Sequence, residues 1–204
     1  MADQVQFVEN VVLIDLAGFN EAVSLIKRFF EDHLNRKIDD LDLQGWVSCM
    51  AMDAGITAGR NRVQVIFLHD GTVSDLSCCS APPLDDLKGM GFTSSLGDFT
   101  FSVISSEGFA SQENFFLDLM HIALDSVEVK RLVLIPDNVA YGDKMHEVLH
   151  QTLPEIQAEK PKEIVCFFTA VQDKPLEYKC DSLIFSMMHC MNINSDELGF
   201  IYEN

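Results

Sequence analysis

His146-Glu147-Val148-Leu149-His150 spells H-E-x-x-H, a spacing that sets two imidazoles on one side of a helix. Histidines at i and i+4 can both ligate zinc, and the intervening glutamate can serve as general base toward a bound water. Such a hydrolase needs a third ligand. The metzincin continuation is absent, because HQTLPEI follows. Glu163 and Glu177 are the downstream acids that could complete the site, but Glu163 opens a predicted strand and Glu177 lies in a Pro-containing turn region. The apolar stripe of this helix is expected at Met145, Val148, Leu149 and Thr152, which turns His146 and His150 toward its flank. On that pattern the two histidines are surface residues of a crossover helix, and a zinc site at His146, Glu147 and His150 is the alternative.

A second set of residues is acidic. VVLIDL reaches Asp15, VIFLHD reaches Asp70 and VLIPDN reaches Asp137, so three apolar runs end in aspartate. Asp118 lies upstream within NFFLDLM, and Asp143 sits one loop beyond Asp137. Ligands of parallel α/β sheets bind beyond the carboxyl ends of the strands. Carboxylates gathered there suit Mg²⁺ or Mn²⁺, hard cations that prefer oxygen and can drive phosphodiester hydrolysis. The commoner use of a strand-end aspartate is to cap the following helix or shape a turn.

VVLIDLAGFN and ENFFLDLMHIALDSVEVKRLVLIPDN together resemble the layout of NYN and PIN-like ribonuclease domains. Those domains open with a strand ending in Asp, carry acids on a helix, and then show a strand ending in a glycine and paired acids. The resemblance covers about half the chain in layout. It implies metal ligation by Asp15, Asp118, Asp137 and Asp143. The sequence departs from the family pattern where P-D-N-V-A-Y-G-D replaces the glycine and paired acids, and it has no basic surface to hold RNA.

Charge bears directly on that last point. The 204 residues carry 32 acidic against 14 basic side chains, a formal net charge of −18. Such a surface repels phosphate backbones and anionic membranes, so the expected partners are a basic protein or a second copy rather than nucleic acid or lipid. Hydrophobic residues make up 48% of the chain, enough for a full core. No apolar run approaches the roughly 20 residues that span a bilayer. MADQVQFVENVVLIDL places acids where a secretion signal carries Lys or Arg, and the six cysteines form no C-x-x-C pair. Both features lead to the expectation of reduced, mostly buried thiols in the cytoplasm. Met187-Met188-His189-Cys190-Met191 groups soft Cu(I)-type ligands, yet at helical spacing it reads as a core face. Cys78-Cys79 has no basic neighbour in sequence to lower a thiol pKa. Phosphate-binding glycine loops and the G-x-S-x-G elbow are absent.

The elements that must position these residues alternate along the chain. Strands are expected over 7–15, 62–69, 99–105, 131–135 and 163–171, each V/I/L/F-rich. Helices are expected over 21–34 behind Asn20, from the IDDLD stretch to Gly55, over 112–126 behind Ser111, over 141–153 up to Pro154, and over 181–191. Residues 71–98, with Pro82-Pro83 and several glycines, form a long irregular loop, and 199–203 is a terminal strand or tail. The pattern predicts one α/β domain over 1–204, three-layered and Rossmann-like, with a mainly parallel sheet of about five strands. The 99–105 strand is the candidate antiparallel exception.

No catalytic signature is complete. The function expected first is therefore a soluble α/β module acting through protein–protein contacts, either with a basic partner or as a homodimer. SLIFSMMHCM supplies more apolar surface than one core needs. A Mg²⁺/Mn²⁺-dependent phosphoesterase on the four aspartates and the zinc hydrolase stand as alternatives.

Overall fold

Asn10–Asp15 (β1) is buried at every position, as expected of a V/V/L/I run at the centre of a sheet covered on both faces. A computed structural model describes residues 6–73, 75–169, 177–194 and 196–198, and β1 lies in the middle of its larger sheet. Leu16–Leu34 (α1) follows at once, capped by Asp15. The two-residue strand Leu41–Asp42 (β2) leads into Leu43–Asp53 (α2), and Asn61–His69 (β3) pairs in parallel with β1. Cys79–Ser80 (β4) pairs with β2 in a separate small sheet, and Leu84–Leu87 (α3) is a single turn.

Gly91–Ser94 (β5) and Gly97–Ser105 (β6) form a hairpin, and β6 runs parallel to β3. Gly97 is required there. Its φ of 138° lies in a region that L side chains rarely adopt, and a Cβ would sit 2.1 Å from the Asn61 carbonyl oxygen. The second half adds Gln112–Asp125 (α4), Arg131–Ile135 (β7), Asn138–Glu159 (α5), Glu163–Phe168 (β8), Lys179–Ser182 (β9) and Leu183–Cys190 (α6).

The sheet order is β5-β6-β3-β1-β7-β8-β9, parallel throughout except for β5. The chain therefore grows outward from β1 in one direction through β3 and β6, then returns to add β7, β8 and β9 on the other side. Alternate β1 residues face two different cores. Val12 and Ile14 pack with Phe19, Trp46 and Met187 from α1, α2 and α6, whereas Val11 and Leu13 pack with Phe116, Met120, Met145 and Leu149 from α4 and α5. The result is three layers, helices on both faces of a mainly parallel sheet.

Several expectations need correcting. The sheet has seven strands, because β5 and β9 are four-residue edge strands too short for periodicity to reveal. The antiparallel exception is β5; β6 is parallel to β3. The 71–98 stretch contains β4, α3 and β5. The final helix begins at Leu183, after β9. Helix α5 starts three residues early, kinks at Tyr141 (φ −150°), and continues through Pro154 to Glu159. Proline removes one backbone donor. Here Pro154 and His150, whose carbonyl loses that donor, are both exposed, so water can replace the bond. The helix is retained because Leu153 and Ile156 still pack inward. Residues 199–203 and the last two positions of the 163–171 strand lie outside the described residues.

Candidate functional site

The direction of strand addition reverses between β1 and β7, and that is where a doubly wound sheet opens its ligand crevice. Here Asp15 and Asp137 meet at that point. Asp15 ends β1 and caps α1, its Oδ1 accepting the Gly18 N–H at 2.9 Å. Its Oδ2 accepts the Tyr141 hydroxyl at 2.6 Å, and the Asp15 side chain has no solvent exposure. Burial raises the Asp15 pKa above the ordinary carboxylate value, with the charge of Asp137 adding to the effect. Burial and then the neighbouring Asp15 push the Tyr141 hydroxyl well above its usual range as well.

Asp137 stands opposite, capping α5 by accepting from Val139 N at 3.0 Å and Ala140 N at 2.9 Å. Gly18 seals the two loops together. A Cβ at that position would lie 2.6 Å from the Asp137 Cα, so no side chain larger than hydrogen fits between them. Gln112 donates from Nε2 to the Leu68 carbonyl at 2.9 Å, while its Oε1 and the Asn138 Oδ1 are buried without a hydrogen-bond partner.

Of the four aspartates singled out from sequence, the fold thus brings Asp15 and Asp137 together, both serving as helix caps. Asp118 on α4 and Asp143 on α5 are each exposed to solvent. Among the described residues no three or more His, Cys, Asp or Glu side chains converge in a way that could hold a metal ion. Asp70 lies just beyond β3 and folds into a local turn, accepting from both the backbone and the hydroxyl of Thr72.

The H-E-x-x-H residues separate. His146 turns inward, stacking on Phe168 and Tyr178 with ring centroids 4.8 and 5.6 Å apart, and its Nδ1 hydrogen-bonds the Tyr178 hydroxyl. Its Nε2 is buried without a partner, and burial lowers its pKa. His150 is exposed and lies 3.6 Å from Glu177, while Glu147 accepts from Gln151 at 3.3 Å. The core stripe of α5 is Met145, Leu149 and Leu153, with Val148 and Thr152 only half-buried. That rotation carries His146 into the wall and leaves His150 out.

Met187, Met188 and Met191 are buried in the core, as the helical reading of MMHCM expects. Cys79 lies near Lys27, a neighbour that sequence distance hid, yet burial still pushes its thiol up to about 12.

A large concave surface lies elsewhere among the described residues. Leu25, Ile26 and Phe29 of α1 face Ile184, Phe185 and Met188 of α6 across an apolar groove of about 690 Å³. Phe185 is 69% exposed and Leu25 50%. The apolar stripe read on residues 21–34 is thus broader than the core it serves, and part of it faces solvent. The sequence signals for this groove were that stripe and the apolar surplus of SLIFSMMHCM.

Fold and site together define a mainly parallel α/β protein that holds a buried Asp–Tyr pair at its strand ends and carries an apolar groove between two helices. The chain belongs to DUF6621, a family of unknown function whose model matches residues 4–198. No curated protein and no solved structure matches it.

Proposed function

We propose that the chain is a binding module that works through protein–protein contacts, and that the α1–α6 groove receives an amphipathic, basic segment of a partner protein. The observation that carries this reading is the grouping of exposed Phe185 and Leu25 with Ile184, Ile26 and Met188 in one concave surface. Apolar grooves of this kind accept one face of a helix through anchors at i, i+3/i+4 and i+7. Charge selects the occupant. Glu21 and Asp32 are exposed along α1 beside Leu25 and Phe29, and the whole chain carries −18. Two like-charged copies repel each other, whereas Lys and Arg flanking the anchors of a partner are attracted. The strand order around β1, that of Rossmann-like sheets, supplies the rigid scaffold.

The test uses a fluorescent Leu/Lys amphipathic helix of about 15 residues (long enough to form stable turns) and a Ser/Lys control of equal charge. Saturable binding of the Leu peptide alone, weakened at least tenfold by Phe185→Asp, is the expected result. Equal binding of both peptides, or no effect of Phe185→Asp, ends the proposal. Self-association through the groove in sedimentation, abolished by Phe185→Asp, would replace the basic partner with a second copy.

A metal-dependent phosphoesterase related to NYN and PIN-like domains draws support from Asp15 and Asp137 meeting at the point where strand order reverses. Calorimetric titration with Mn²⁺ tests it. Stoichiometric binding lost in Asp137→Asn favours it, and the absence of heat disposes of it.

A further inference from the structure

Cys49 on α2 and Cys190, the last residue of α6, are 141 positions apart in sequence. Their sulfurs lie 3.9 Å apart, with the Cys190 thiol donating to the Cys49 sulfur. Both side chains are partly exposed, so a small oxidant can reach them. The other cysteines are less suited. Cys166 is fully buried, the half-exposed Cys180 has that closed-off thiol as its neighbour, and Cys78 and Cys79 are adjacent in the chain, where a bridge would have to close within one dipeptide. Van der Waals contact between two sulfurs on different helices is the arrangement from which a side-chain rotation reaches the bonded distance of about 2.0 Å.

We infer that Cys49 and Cys190 are a dithiol–disulfide site that joins α2 to α6 reversibly when the chain meets a hydroperoxide. Burial, and then the adjacent Cys49, push the Cys190 thiol up to about 12, so it stays protonated near neutral pH. Because the Cys190 thiol is the donor in the sulfur–sulfur contact, Cys49, the acceptor, takes the first step. Its sulfur attacks one peroxide oxygen, the O–O bond breaks, the departing hydroxide takes the Cys49 thiol proton and leaves as water when the oxidant is hydrogen peroxide, and Cys49 becomes a sulfenic acid. The Cys190 sulfur then attacks the sulfenic sulfur. The S–S bond forms, the S–O bond breaks, and the hydroxyl leaves with the Cys190 proton as a second water. Two electrons pass from the thiol pair to the peroxide, and a dithiol reductant returns them to the protein by exchange.

The site does not depend on the groove's occupant, although α6 also forms one wall of that groove. The full chain is treated with hydrogen peroxide, blocked with N-ethylmaleimide and mapped by mass spectrometry. The expected product is a single Cys49–Cys190 cross-link within one chain, loss of two titratable thiols, and full recovery in dithiothreitol. In Cys190→Ser, Cys49 should accumulate as a sulfenic acid that dimedone captures, and no cross-link should form. Cross-links confined to Cys78–Cys79, to Cys166–Cys180 or to pairs between chains overturn the assignment. So does alkylation of Cys49 and Cys190 at the same rate before and after peroxide.

Discussion

Tyr141 donates its hydroxyl to Asp15 at 2.6 Å, across 126 positions of chain and out of contact with solvent. This bond ties the first strand to the first turns of α5, at the point where a doubly wound sheet usually offers a crevice to a ligand. Tyr141→Phe keeps the ring packing against Phe116 but removes the hydroxyl donor from a buried carboxyl oxygen. Such a loss costs about 1–3 kcal/mol. Urea denaturation should show the midpoint falling with an unchanged slope.

Stability should respond to pH through Asp15. Because burial raises its folded-state pKa, the folded chain keeps a proton that the unfolded chain has released in the interval above the ordinary carboxylate value. The contribution of this group is full below that value and is lost as pH rises through the raised one. The stability of wild type relative to Asp15→Asn should therefore decline on moving from about pH 4 to about pH 7. Parallel denaturation curves that keep a constant gap over this interval would contradict the role given to burial.

Gly18→Ala should be destabilising by about 1–3 kcal/mol, since the new methyl meets backbone atoms that cannot swing away. Thermal unfolding reads this directly. Gly71→Ala is an informative contrast: nothing lies within 4 Å of its Cβ position, and its cost comes only from the positive φ of 93°.

The two histidines of H-E-x-x-H should behave differently. His150→Ala, at an exposed position, should change stability by less than about 0.5 kcal/mol. His146 is held neutral by burial, with its pKa below the ordinary value. Its contribution is present above the unfolded value of about 6.5 and fades as pH drops toward the depressed one. Wild type should thus lose stability relative to His146→Phe on acidification below neutrality. If His150→Ala gives the larger effect, the placement of these rings is wrong.

Phe185→Ser should leave folding stability within about 0.5 kcal/mol of wild type, because the ring is mostly in water already. A large drop in melting temperature would mean that Phe185 belongs to the core and not to a docking surface.

The layered α/β class was legible because β1, β3, β7 and β8 are apolar runs of five to nine residues separated by helical periodicity. Edge strands β5 and β9 escaped notice, since four residues with one face in solvent carry little hydrophobic signal. Pro154 misled in a different way: the helix runs on through it, with the affected His150 carbonyl at an exposed position where water can bond it. Asp15 and Asp137 were visible as strand-end acids, but their meeting depends on β1 and β7 being neighbours, a fact of topology. Tyr141 was missed. It stands first in a predicted helix with no motif to mark it, and its bond to Asp15 spans 126 positions of chain.

The position of β1 also shapes how the chain can be made. Asn10 pairs with Val63 on one side and with Arg131 on the other. At about 5–20 residues per second of synthesis, the second partner emerges roughly 6–24 s after β1 itself. Until then one whole edge of the central strand, with Val11 and Leu13 on its face, has no native neighbour. A ribosome that stalls before residue 131 would hold out a sticky half-sheet, and chaperone attention to nascent chains should be concentrated in that window.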